Sequence, residues 1–208
     1  MTSPLYPDPL AHWNSRYEGE GYRFGTAPNE WLAGHAALFM PGQRALCVAD
    51  GEGRNSAWLA GLGLAVDAFD LSPIGVEKAQ RLAASQSVQV NYAVSDCEAY
   101  AWRDDAYESV LAIFVQFADP PTRDRLFDHL KRSVKPGGLI LLLGYTPRQL
   151  DYGTGGPKLL SHLYTADLLR ESFAGFEMRE LTEFEAEVDE GAGHRGMSAM
   201  VGMVARRA

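Results

Sequence analysis

With 208 residues, 46% of them hydrophobic and 22% charged, the chain has the length and composition of one ordinary globular domain, which excludes disordered and fibrous classes. A net charge of −8, with 19 Lys and Arg and no long basic run, excludes the positive footprint that a nucleic-acid backbone requires. No stretch approaches the ~18 apolar residues of a membrane span, residues 1–10 lack a basic and then apolar leader, and Cys47 and Cys97 make a poor basis for a disulfide framework, so a cytoplasmic protein that binds neither membrane nor nucleic acid is expected.

Residues 1–43 form an aromatic cap segment ahead of a core over 44–208. A short apolar run over 44–49 reads as a strand, the turn Asp50-Gly51-Glu52-Gly53 stops it, and a helix follows over 55–62. A second strand spans 65–70, after which Ser72 and Pro73 provide the N-cap and first-turn proline of a helix to Ser85. A third strand covers 88–93 and ends in the polar loop 95–98. The apolar run 107–114 has the character of a strand buried on both faces. Pro120-Pro121 opens a helix to Ser133, Lys135-Pro136-Gly137-Gly138 reads as a turn, and 139–143 is the next strand. Alternation of strands and helices predicts a doubly wound α/β sheet, mostly parallel. Beyond it, 151–157 reads as a glycine-rich surface loop and 166–173 as a helix capped by Thr165. Strands over 176–185 and 197–206 have too short a link for a helical crossover, so the sheet ends in an antiparallel hairpin.

Chemistry concentrates at the first turn. Gly51 and Gly53 leave backbone N–H groups open at a helix N-terminus, and Asp70 follows Gly51 by 19 residues at the end of the second strand. That is close to the ~20-residue spacing at which a carboxylate meets the hydroxyls of an adenosine ribose. The same geometry serves an NAD(P)-dependent oxidoreductase. Against that reading stand the late start of the first strand, the terminal hairpin and the little chain left for a substrate domain.

Trp13-Asn14-Ser15-Arg16-Tyr17, Tyr22-Arg23-Phe24-Gly25-Thr26-Ala27-Pro28-Asn29, Gly51-Glu52-Gly53-Arg54-Asn55, Asp70-Leu71-Ser72-Pro73, Lys135-Pro136-Gly137-Gly138, Tyr145-Thr146-Pro147 and Gly153-Thr154-Gly155-Gly156 resemble the class I S-adenosylmethionine methyltransferases. Within these, the likeness is to the small bacterial tellurite-resistance and thiopurine methyltransferase branch. The resemblance implies a Rossmann-like sheet of seven strands, S-adenosyl-L-methionine as cofactor and a small-molecule methyl acceptor. It implies that Ala49, Gly51 and Gly53 line the methionine part of the cofactor, that Asp70 with Leu71 holds the ribose, and that Asp96 and Cys97 meet the adenine. Phe114 would border the sulfonium, with Arg16 and Tyr17 closing the amino-acid end.

Three departures stand out: Cys47 and Ala49 replace the usual acidic residue and glycine of the first turn, Gln116 replaces a histidine, and Leu143 replaces a carboxylate. Without a proton acceptor at 116 or 143, the expected acceptor is a thiol, a selenium or tellurium species, or an amine. The same departures keep open a protein that binds the cofactor without catalysis. Trp13, Tyr17, Gln116, Tyr145, His194 and Arg195 are substrate-pocket candidates, and Trp13, Tyr17, Tyr22 and Phe24 could cover a sulfonium by cation–π attraction. His12, His35, His129 and His162 have no partner at metal-ligand spacing, so no metal is expected. Glu183, Glu185, Glu187, Asp189 and Glu190 read as a solvated face. The loop 151–157 is expected to act as a lid. The sequence gives no indication of oligomeric state.

Overall fold

A computed structural model describes residues 5–208; residues 1–4, the start of the cap segment, lie outside the described residues. Seven strands, β1 (Arg44–Val48), β2 (Ala65–Asp70), β3 (Val90–Val94), β4 (Tyr107–Ile113), β5 (Val134–Tyr145), β6 (Phe176–Glu190) and β7 (His194–Arg207), form one sheet in the order β3-β2-β1-β4-β5-β7-β6. The first five run parallel, and β7 is antiparallel to both β5 and β6. Helices α1 (Pro9–Tyr17) and α2 (Glu30–Gly34) precede the sheet. Between strands lie α3 (Arg54–Gly61), α4 (Pro73–Ser85), α5 (Pro120–Ser133), α6 (Gln149–Tyr152) and α7 (Ala166–Ser172).

Local chemistry sets most helix starts. Ser72 Oγ accepts from Gly75 N at 3.1 Å and Pro73 fills the first turn, Asp119 caps α5 through Thr122 N, and Thr165 caps α7 through Leu168 N. Along β1, side chains alternate between two cores. Leu46 and Val48 join Phe127, Leu130 and Phe173, whereas Ala45 and Cys47 join Leu32, Leu59 and Leu141. Both cysteines are buried and free.

Two boundaries differ from the sequence expectation. The segment 135–138 is no turn between elements but a bulge inside β5, since Tyr107 pairs with Val134 and Ser109 with Leu139; Gly137, at φ +78°, absorbs the extra residues. The hairpin is also longer, because β6 continues to Glu190 and β7 begins at His194. Tyr145, the end of β5, pairs with Met200, so β7 reaches six residues, about 20 Å of strand, past the parallel edge. Antiparallel β7 starts on the side where the parallel strands finish. This topology delivers the hairpin tip to the carboxyl edge, where the strand order reverses between β1 and β4 and ligands of open α/β sheets bind.

Candidate active site

The carboxyl edge is built around a tight turn. Ala49 leaves β1 at φ +48°, a left-handed conformation costly for a residue with a Cβ. Val48 pairs with Phe69, so Asp70 ends β2 alongside that turn and the 19-residue separation becomes direct contact. Gly51 N donates to Asp70 Oδ2 at 2.9 Å, and Ser72 N donates to Oδ1 at 2.9 Å. Each oxygen keeps a free lone pair, and the two backbone donors fix the plane of the carboxylate. Burial pushes the Asp70 carboxyl up to about 6 despite those donors. Burial likewise raises Asp50 to about 7, and its Oδ2 is buried with no partner among the described residues.

A cavity opens above this turn. Its walls come from β-strand ends (Ala49, Asp70, Leu71, Asp96, Cys97, Phe114), from the first turn (Asp50, Gly51, Arg54), from the N-terminal segment (Leu5, Tyr6, Trp13, Tyr17, Phe24) and from His194 at the hairpin tip. Phe114 shares the left-handed conformation of Ala49, at φ +58°, so two strained non-glycine residues face the same space. Aromatic rings line one side: Trp13 stacks on Tyr17 at 5.6 Å, Tyr17 meets Phe24 edge-on at 6.4 Å, and Phe114 stacks on Tyr145 at 4.7 Å. Tyr22 lies elsewhere, its hydroxyl donating to Lys78 O. Among the described lining residues three are aspartates, and the one arginine, Arg54, is spent on Glu190 at 2.6 Å.

The hairpin tip is held in place from the N-terminal side. Glu190 Oε1 accepts from Asn29 Nδ2 at 2.8 Å and Glu30 N at 3.1 Å, while Oε2 takes Arg54. Gly193 N donates to Arg23 O at 3.0 Å. His194 packs its ring 4.5 Å from Phe24 and 4.6 Å from Phe114, with Nδ1 3.6 Å from Glu190 Oε2. Burial lowers its pKa against the pull of Glu190, with Arg54 and Arg16 adding to the lowering, so the imidazole is neutral at pH 7.

Of the expected site residues, Trp13, Tyr17, Ala49, Gly51, Asp70, Leu71, Asp96, Cys97, Phe114 and His194 meet at this cavity. Asp96 Oδ1 is already taken by Glu98 N and Ala99 N. Gly51, a lining residue, also has a structural part: its N–H orients Asp70, and a Cβ there would approach Tyr17 Oη to 2.8 Å, so Tyr17 lies across the bend. Gly53 is not a lining residue. Its φ is +87° and a Cβ would fall 2.5 Å from Ala79 Cβ, so it serves the packing of the turn on α4. Arg16 lies outside the lining, its guanidinium 5.6 Å from the Trp13 ring.

Gln116 is turned away from the cavity. Its amide donates to Tyr145 O and His162 O and accepts from Tyr145 N, a brace for the backbone. Tyr145 stands behind Phe114 and does not line the cavity itself. Arg195 points to solvent and pairs with Asp189. Glu190 is no solvated acid but a partly buried anchor, because strand pairing carries it to the tip over Arg54. The loop 151–157 contributes nothing to the walls: Thr154 Oγ1 donates to Met197 O at 2.6 Å and accepts from Gln149, fastening the loop to β7. The cover comes instead from the N-terminal segment and the hairpin tip. Sequence reading passed over Asp50, Arg54 and Glu190; an acid inside the glycine turn was a visible signal for the first, but nothing local marks the Arg54–Glu190 pair.

Residues 45–138 match the family described as a methyltransferase domain. An uncharacterised protein of Mycobacterium tuberculosis is 36% identical over 112 residues, covering 53% of this chain and 40% of its own length. A ubiquinone biosynthesis O-methyltransferase of Xanthomonas campestris is 29% identical over 130 residues, 62% of this chain and 54% of that protein. The chain thus spans about 40% of the length of the first of these relatives. Among solved structures, one from work on conversion of a disulfide bond into a thioacetal group during echinomycin biosynthesis aligns with TM-score 0.77 at 20% identity, covering 95% of this chain and 92% of that one. TehB from Haemophilus influenzae aligns with TM-score 0.72 at 20% identity over 88% of this chain and 63% of its own. Residues 45–138 thus match a methyltransferase domain, and the described chain shares the seven-stranded fold of these solved structures.

Proposed function

We propose that this protein transfers a methyl group from S-adenosylmethionine to a small molecule. The observation that carries the reading is the Asp70 carboxylate, fixed by Gly51 N and Ser72 N at the floor of the cavity with one lone pair free on each oxygen. Two adjacent ribose hydroxyls match that acceptor pair. Three aspartates with no free lysine or arginine among the described lining residues suit a cationic ligand, and the Trp13, Tyr17 and Phe24 rings add cation–π attraction of about 0.5–2 kcal/mol. The same features disfavour a dinucleotide, whose pyrophosphate needs free N–H groups where Gly51 N is already committed and carboxylates would repel it.

In this reading Leu71, Asp96 and Cys97 receive the adenine, Asp70 the ribose, Ala49 and the Gly51 turn the methionine part, and Phe114 borders the sulfonium. Bound S-adenosylmethionine supplies a methyl carbon activated by positive sulfur, with a neutral thioether as leaving group. The chain's own contribution is to align the acceptor and exclude water, and alignment of held reactants is worth up to ~7–11 kcal/mol. Calorimetry with S-adenosylhomocysteine tests the reading: Asp70→Ala should weaken binding roughly 10–100-fold, the worth of one hydrogen bond to a charged group. Unchanged affinity would remove Asp70 from the site.

A further inference from the structure

The expectation of an acceptor that needs no base rested on positions 116 and 143, and the hairpin tip supplies what they lack. We propose that His194, oriented by Glu190, accepts the proton of an aromatic hydroxyl substrate as its oxygen is methylated. The inference rests on the methyl-transfer reading and names the substrate class of that same cavity.

His194 is the histidine that lines the cavity among the described residues, and it arrives there because antiparallel β7 begins at the carboxyl edge. Its Nδ1 faces Glu190 Oε2 at 3.6 Å and has no closer partner. A carboxylate on that side favours the tautomer with the proton on Nδ1, which leaves Nε2 as the basic nitrogen. Hydrogen bonds of this kind are often long before substrate binds and shorten as the ring gains charge. Glu190 cannot swing away, since Arg54, Asn29 and Glu30 N hold both of its oxygens. Burial raises that carboxyl, but His194, Arg54 and the Glu30 backbone outweigh it and bring it to about 2, so it is ionised throughout the working range. The charged and titratable groups around the imidazole are Glu190 from β6, Arg54 from α3, Arg16 from α1 and Tyr145 from β5. Tyr145 is kept neutral by burial.

The walls around His194 define what it can serve. Phe24 and Phe114 contact it and Trp13 and Tyr17 line the same cavity, a surround that stacks planar rings. Among the described residues no lysine lines the cavity and Arg54 is paired with Glu190, so an anionic acceptor finds no free counter-charge on the protein. A neutral aromatic hydroxyl compound fits. In the step, a lone pair of the hydroxyl oxygen forms the bond to the methyl carbon, the carbon–sulfur bond breaks with its electron pair going to sulfur, and the O–H proton passes to His194 Nε2. The positive charge lost at sulfonium reappears on imidazolium, beside Glu190, and then leaves with the proton to water.

The test uses the full chain, S-adenosylmethionine and a panel of phenol, catechol, 2-naphthol and thiophenol, with S-adenosylhomocysteine affinity measured in parallel. Thiophenol, substantially ionised at neutral pH, is the internal control because it needs no base. His194→Gln should cut turnover of a phenol about 10²–10⁴-fold, thiophenol turnover less than tenfold, and leave S-adenosylhomocysteine affinity within threefold. Glu190→Gln should move the acid limb of the kcat/KM profile for the phenol to lower pH, which a purely structural anchor would not do. Equal losses on phenol and thiophenol, an unmoved acid limb, or no turnover of any panel member by the intact protein would each overturn the proposal. Failure of the intact protein to bind S-adenosylhomocysteine would instead bring down the methyl-transfer reading beneath it.

Discussion

Asp50 and Asp70 are acids whose titration the fold moves up toward neutral pH. Both have folded pKa values raised by burial, to about 7 and about 6, against about 3.9 for an unfolded aspartate. Between pH ~4 and ~7 the folded chain therefore binds more protons than the unfolded one, and these two groups make stability fall as pH rises through that window. Asp50→Asn should accordingly raise Tm over the parent at pH 8, with the advantage vanishing near pH 4. A lower Tm at pH 8 would mean that the ionised carboxylate holds the turn together. A cationic ligand works the other way, since it favours both ionised forms. Affinity for S-adenosylmethionine should rise between pH 5 and 8, with protons released on binding, as calorimetry in buffers of different ionisation enthalpy would detect; a flat profile would show that neither acid feels the ligand.

The glycine turn depends on what α4 does beneath it. Gly53 touches Ala79 so closely that an added Cβ would lie 2.5 Å from Ala79 Cβ and 2.9 Å from Tyr92 Oη. Gly53→Ala should cost at least the roughly 1–3 kcal/mol of an overpacked core, through clash and left-handed strain, read by urea denaturation; a neutral result would mean that the turn can shift away from α4. The buried pair Lys78–Glu52, 2.8 Å apart, ties α4 to the turn and through Glu52 to Arg23 N. Lys78→Met leaves Glu52 charged and buried, a loss of about 3–5 kcal/mol by the same measurement.

Elements of this kind were legible where their signals are local. Ser72-Pro73 and the apolar run of β4 announce themselves within a few residues, and Asp70 was found because strand adjacency turns a spacing into a contact. The end of β6 was not legible, because an edge strand carries charge on its open face and its acidic alternation resembles a solvated loop. Gln116 and Tyr145 looked like pocket residues by position, and only the packing shows that they brace backbone and back the Phe114 ring.

At the scale of the whole molecule, the two ends of the chain enclose the site together. Segment 23–30 and the tip 190–194 meet through Arg23, Asn29, Glu30, Glu190 and Gly193, with Arg54 between them. They should open as one unit: Glu190→Ala should lower amide-exchange protection in both segments at once while β1 and β4 stay protected, and loss at the tip alone would separate them.

All of this turns on which ligand the edge of the sheet receives. Calorimetric titration of the intact chain with S-adenosylhomocysteine and, separately, with NAD is the most direct measurement. The structure predicts one-to-one binding of the first and none of the second. Binding of NAD with no response to S-adenosylhomocysteine would contradict the account.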